Sequence, residues 1–177
     1  HTYEIRLIDH IVNRTDQDFR RCSCSRETLL LTTYGPGSWV EEWTILTWTI
    51  IRQWKPCDVN EYICDIRFAH DGRQIGMTVE IRGQSHQFQL RDRSMINTLN
   101  RITFSNSFYP YFLLSLSNGQ WMTHEYDNRQ LYIIDKGGKL EQTVTCCDDK
   151  YVRSIALSGC TCLAVLTRDK ELCLYDL

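Results

Sequence analysis

Aspartate recurs in this chain at the ends of short alternating runs: Leu7-Ile8-Asp9, Leu90-Arg91-Asp92, Ile133-Ile134-Asp135 and Leu174-Tyr175-Asp176. Carboxylates at equivalent points of a repeat could converge on a calcium ion, or supply the acids of a metal-assisted hydrolase. A plainer reading is available. An Asp just after a strand accepts backbone N–H bonds from the turn that follows, and its recurrence then follows from the repeat. The histidines are His1, His10, His70, His86 and His124. A catalytic His needs a nucleophile or carboxylate held beside it, and the chain has no nucleophile elbow, no His-Glu-x-x-His and no Walker loop. Gly35-Pro36-Gly37-Ser38 is too short for a phosphate loop and lacks its Lys. His70, beside Asp71-Gly72, reads as an exposed turn residue. The expectation is a protein that is not an enzyme, with no catalytic residues, no cofactor and no metal site.

The chain has 9 cysteines, an odd number, so they cannot all pair internally. Cys22 and Cys24 are two apart, as are Cys160 and Cys162. Such pairs share one face of a strand and are poorly placed to bridge each other. There is no Cys-x-x-Cys for zinc. Cys64 alternates with Ile66 and Phe68, which suits a buried thiol. Free, mostly buried thiols imply a reducing compartment, so a cytoplasmic location is expected. One sequon, Asn13-Arg14-Thr15, points the other way, but a single triplet arises readily by chance.

With 177 residues, 42% of them apolar and 24% charged, the chain is long enough for one globular domain with a real core. The net charge of −2 argues against a basic nucleic-acid footprint. Arg14, Arg20, Arg21 and Arg26 form a local basic stretch that Asp16 and Asp18 partly offset. No apolar run approaches the roughly 18 residues of a membrane-spanning helix. The first residue, His1, falls inside a repeat, which suggests a chain cut from something longer.

The elements that position these groups are strands. Helical periodicity is nearly absent, and alternation over short runs between turn signals dominates. The strand-end markers fall at Asp9, Asp92, Asp135 and Asp176, with a degenerate copy, Trp43-Thr44-Ile45, at Thr44. Their steps are 35, 48, 43 and 41, a mean of about 42. First-hairpin turns near Arg26, Gly72, Gly119 and Gly159 step by 46, 47 and 40, so two unrelated markers share one period. In the second unit the reading gives strands at Cys64–Ala69, Gln74–Ile81 and His86–Arg91, with Met95–Leu99 as a fourth.

The order of strand, Asp-Gly-type turn, strand, turn, strand ending in Asp, then Gly-Lys-Leu and a last strand resembles WD40 and NHL repeats. The run from Asn128 to Leu140, containing Leu131-Tyr132-Ile133-Ile134-Asp135-Lys136-Gly137-Gly138-Lys139, looks most like an NHL repeat. No copy carries Trp-Asp, and no Gly-His precedes a first strand. The resemblance implies an all-β chain, residues 1–177, folded as a β-propeller of about four blade repeats. The last unit lacks a fourth strand, which implies part of a larger propeller; a closed ring of four is the alternative.

In an antiparallel blade, second-to-third-strand loops and blade-to-blade loops emerge on one face. That face would carry Tyr34, Trp39, Trp54, Phe108, Tyr109 and Tyr111. Aromatic residues on a loop face mark protein-binding hot spots, unless they simply pack between blades. The leading expectation is a non-enzymatic scaffold that binds a protein or peptide through this face. An RNA-binding NHL-like propeller is the first alternative, with the net charge making nucleic acid a poor candidate. A calcium-dependent propeller hydrolase is the second. No membrane partner is expected, and the oligomeric state is not legible in the sequence.

Overall fold

The computed structural model describes residues 19–33, 35–104, 108–125, 128–146, 150–159 and 161–177. They form antiparallel strands and, among the described residues, no helix, so none is long and apolar enough to cross a membrane. The first sheet is β1 (Phe19–Cys24), β2 (Thr28–Thr33), β3 (Val40–Thr44) and β4 (Ile50–Trp54). The second is β5 (Glu61–Phe68), β6 (Gln74–Ile81), β7 (Ser85–Asp92) and β8 (Thr98–Thr103). The third is β9 (Pro110–Ser115), β10 (Trp121–Glu125), β11 (Gln130–Ile134) and β12 (Leu140–Thr145). The fourth has β13 (Val152–Ser158), β14 (Cys162–Thr167) and β15 (Leu172–Asp176). Each sheet is a meander in chain order, and the four are arranged as the blades of a four-bladed β-propeller. The expectation of further blades concerns chain outside these residues.

Hydrophobic cores lie between neighbouring blades. Leu30 and Val40 of the first blade pack against Ile63, Ile66, Ile75, Met77 and Val79 of the second. Phe88 and Leu90 of the second meet Leu113, Trp121 and Ile134 of the third. Met122 and Leu131 of the third meet Ile155, Leu163 and Val165 of the fourth. Alternation along the strands, interrupted at bulges, sends one set of side chains to each neighbouring blade. On β6, Ile75, Met77 and Val79 face the first blade, and burying each stabilises the fold by about 2 kcal/mol. The outer strands β4, β8 and β12 are largely exposed. The three-stranded fourth blade leaves Leu172 and Leu174 of β15 exposed.

Two local readings are corrected. The fourth strand of the second blade begins at Thr98, not Met95. Residues 93–97 form a turn in which Met95 takes a left-handed φ of 63° and its N–H bonds the Asp92 carbonyl at 3.0 Å. The Met95 side chain is buried in the core between the first two blades. The alternation of Cys64 with Ile66 and Phe68 is also broken. A bulge between Ile63 and Asp65 shifts the register, so Ile63, Ile66 and Phe68 share the core and Cys64 is buried outside it.

Third strands end at Thr44, Asp92 and Asp176, and Asp135 follows the end of β11. Asp92 accepts hydrogen bonds from Ser94 Oγ and Asn97 Nδ2, both at 2.6 Å. These bonds hold its carboxyl below the usual range. Asp135 Oδ1 accepts the Lys139 N–H at 2.8 Å. Both carboxylates are therefore engaged by their own turns. Asp9 lies outside the described residues.

Candidate functional site at the channel mouth

The first strands β1, β5, β9 and β13 are each the edge of their sheet. Ser23 and Cys24 of β1, Arg67 and Phe68 of β5, Leu114 and Ser115 of β9, and Leu157 of β13 line one open cavity of about 840 Å³. All four blades thus contribute their inner strands to a single mouth. Its rim is built by first-hairpin turns, with Arg26 and Glu27 from one and His70 and Asp71 from the next, all exposed. Asp71 stabilises its own turn by accepting the Arg73 N–H at 2.9 Å.

Arginines lock the wall. Arg67 Nε donates to the Leu113 carbonyl at 2.9 Å, and Nη1 donates to the Cys22 carbonyl. One guanidinium therefore ties three inner strands. Its Nη2 lies 3.3 Å from Asp65 Oδ2, which also accepts the Leu113 N–H at 2.9 Å. Burial pushes the Asp65 carboxyl up, with Arg67 and the backbone donors opposing. Arg21 Nε donates to the Cys64 carbonyl at 3.0 Å. Arg93 crosses from the second blade to the first, pairing with Glu42 and lying 4.4 Å over the Phe68 ring. Ser23 Oγ accepts the Phe68 N–H at 3.1 Å. Burial, reinforced by Cys22, pushes the Cys24 thiol up, with Arg67 opposing, so it stays protonated.

The expected aromatic face is on the opposite side of the ring, and the structure divides its members. Trp39 is 39% exposed, with Lys55 Nζ 5.8 Å from its ring centre. Tyr109 is 44% exposed and its ring centre lies 4.4 Å from that of His86. Trp54 and Tyr111 are half-buried, Trp54 against the first inter-blade core with Arg52 4.4 Å over its ring. Phe108 is not on the surface. It is 4% exposed, with its ring centre 4.5 Å from Phe104 and 4.2 Å from Tyr132. The reason is packing: the wedge between the second and third blades needs large side chains, and the loop before β9 supplies one. Tyr34 lies outside the described residues.

Cys22, Cys24, Cys57, Cys64 and Cys162 are free thiols. Cys22 and Cys24 are exposed rather than buried. Cys57 and Cys64 are pushed up to about 12 by burial.

Sequence reasoning missed Arg67 and Arg93, whose partners lie 46 and 51 positions away in the chain. It also missed a cluster in which ligand atoms of Cys64, Glu80 and His86 lie within 4.8 Å of one another. The three sit on three strands and make no spacing motif. Burial lowers the His86 imidazole, with Glu80 and Glu125 opposing.

No family model matches this chain, and no curated protein matches it. Among solved structures, the computationally designed Ika4 protein is similar at 10% identity with a TM-score of 0.64, covering 94% of this chain and 95% of that one. A protein of unknown function from Bacteroides caccae is similar at 9% identity with a TM-score of 0.57, covering 92% of this chain and 62% of that one. The computationally designed Ika8 protein is similar at 11% identity with a TM-score of 0.62, covering 90% of this chain and 46% of that one. Likeness at such low identity establishes the fold alone. The class is accordingly a four-bladed β-propeller with its largest cavity at one mouth of the channel among those described.

Proposed function

We propose that this propeller is a non-enzymatic binding module whose channel mouth holds a short peptide segment of a partner protein. The observation that carries the reading is the cavity of about 840 Å³ lined by inner strands of all four blades. Its size falls within the roughly 300–1,000 Å³ typical of ligand sites. Edge strands offer backbone donors and acceptors to an extended chain. Three polar groups of the wall are spent on the fold: Ser23 holds the Phe68 N–H, Arg67 ties three inner strands and Arg93 joins two blades, whereas the Ser115 hydroxyl has no hydrogen-bond partner among the described residues. What remains exposed at the rim is a mixture of charges, Arg26 and His70 with Glu27 and Asp71, suited to side chains of either sign. The exposed Trp39 and Tyr109 on the other side offer a second, smaller surface for the same partner class.

The test is a peptide-library selection on the purified protein, with the best peptide titrated by fluorescence anisotropy. Arg26→Ala and His70→Ala should each weaken binding several-fold, while Trp39→Ala and Tyr109→Ala leave it unchanged. The reverse pattern would move the site to the aromatic side. Absence of saturable peptide binding would end the proposal, and preferential capture of an RNA oligonucleotide with steep salt dependence would favour the nucleic-acid reading.

A further inference from the structure

The β5 bulge has a chemical consequence. Glu80 of β6 and His86 of β7 are directly opposite each other in the ladder, so their side chains share a face. On the other side of β6, Glu80 is opposite Tyr62, and just beyond that pair the register of β5 shifts between Ile63 and Asp65. The extra residue is Cys64, and the shift turns its thiol toward the Glu80–His86 pair instead of into the core with Ile66.

The geometry points to a zinc site: we propose that one Zn²⁺ binds the Cys64 thiolate, the His86 imidazole and the Glu80 carboxylate, leaving a fourth position for water. Thiolate, imidazole and carboxylate form a donor set that suits zinc, and three protein ligands with one open position is its catalytic-type arrangement. The ligand atoms already lie within 4.8 Å of one another. His86 Nε2 is 3.9 Å from Glu80 Oε2. A tetrahedral ion with bonds of about 2.0–2.3 Å holds its ligands roughly 3.5 Å apart, a side-chain adjustment away.

His86 is 6% exposed, and Nε2 is the ring nitrogen that faces Glu80, so it is the one placed to ligate; Nδ1, buried without a hydrogen-bond partner among the described residues, would then carry the ring proton. Access is also present. A cavity of about 250 Å³ is lined by Glu80, His86 and Tyr109, with the 83–85 turn at its side. It opens the Glu80 and His86 side of the cluster to solvent and has room for the fourth ligand, while Cys64 stays buried behind them. On binding, the Zn–S bond forms as the thiol proton leaves to solvent, so affinity rises with pH. This site is separate from the channel mouth, and its proof or failure leaves the peptide-binding reading untouched.

The test uses the metal alone. Metal-stripped protein is titrated with Zn²⁺ by calorimetry and with Co²⁺ by absorption, where a tetrahedral thiolate–cobalt site gives a charge-transfer band. One ion per chain is expected. Cys64→Ser should abolish the band and weaken Zn²⁺ binding about 100-fold, while the double variant Cys22→Ser/Cys24→Ser, which removes exposed thiols, should change neither. Glu80 is half-exposed, so Glu80→Gln serves if Cys64→Ser does not fold, and it should weaken binding about 10-fold with the band retained. The proposal is overturned if no stoichiometric binding occurs, if the band survives Cys64→Ser, if the Cys22/Cys24 variant loses it, or if Glu80→Gln binds as tightly as the parent.

Discussion

The ring of Trp121 fills the space that a side chain at Gly76 would need. A Cβ built on Gly76 would stand 2.6 Å from Trp121 Cζ3 and 2.9 Å from Cε3 and Cη2. Gly76 is on β6 of the second blade and Trp121 on β10 of the third. Trp121 also packs against Phe88, ring centres 5.8 Å apart. The bare backbone at Gly76 is what lets these two blades close on each other. Gly76→Ala should therefore cost about 2 kcal/mol by overpacking. Urea denaturation measures it, and the pair Gly76→Ala with Trp121→Leu should be less destabilised than the sum of the two single changes.

Glu42 is a charged strut between the first two blades. Its carboxylate is buried, accepts Arg52 Nε at 2.7 Å and pairs with Arg93 of the second blade. Arg52 Nη2 in turn donates to the Arg93 carbonyl at 2.8 Å. Glu42→Ala would leave two guanidinium groups without their counter-ion. Both arginines are about a third exposed, so solvent screens part of the loss, and about 2 kcal/mol is expected. Thermal or urea unfolding checks it, and Glu42→Gln should recover part of the loss by retaining a hydrogen-bond acceptor.

Stability should fall on mild acidification because of His124. Its ring is fully buried, stacked 5.1 Å from Phe112, with Nδ1–H donating to the Glu125 carbonyl at 2.9 Å. Burial pushes the imidazole down to about 4, the backbone bond opposing. The unfolded chain protonates near pH ~6.5. Below that the unfolded state takes up a proton that the folded state refuses, so stability is lost as pH falls from about 6.5 toward 4. The gap between the two values corresponds to about 3 kcal/mol. Asp65, whose carboxyl is pushed up, acts in the opposite sense at the acid end. Comparing the parent with His124→Phe between pH 7 and pH 4.5 isolates the histidine, and the variant should show the shallower loss.

Two glycines at positive φ should respond differently to alanine. Gly72, φ 71°, has open space where a Cβ would go. Gly138, φ 80°, would place one 2.9 Å from Asn100 Cβ and 3.3 Å from Leu90 Cβ, both in the neighbouring blade. There the Asn100 Nδ2–H donates to the Gly137 carbonyl at 2.7 Å. Gly72→Ala should cost about 1 kcal/mol from backbone conformation alone. Gly138→Ala adds an inter-blade clash and should cost about 2–3 kcal/mol. Parallel melting curves decide between them.

Legibility followed the range of the interaction. The Gln74–Ile81 strand and the hairpin at Asp71-Gly72 could be read because alternation and turn chemistry are properties of a few adjacent residues. Met95 misled because a left-handed turn residue can bury an apolar side chain as a strand residue does. Cys64 misled because a bulge leaves no mark in composition, yet reverses which face the following residues occupy. Phe108 read as a loop aromatic, but exposure depends on what the neighbouring blade places opposite it.

The sequence by itself determined an all-β chain, a repeat near 42 residues, the order of strands within each unit and the places where turns fall. Those follow from local pattern and backbone preference. Only the tertiary structure decided that four edge strands enclose a cavity on the side of the ring away from the aromatic loops. Only it joined Arg67 to carbonyls of two other blades, and Cys64 to Glu80 and His86. Each of these links residues distant in the chain. Their meeting depends on ladder register and on how adjacent blades pack, and neither is written in any short stretch of sequence.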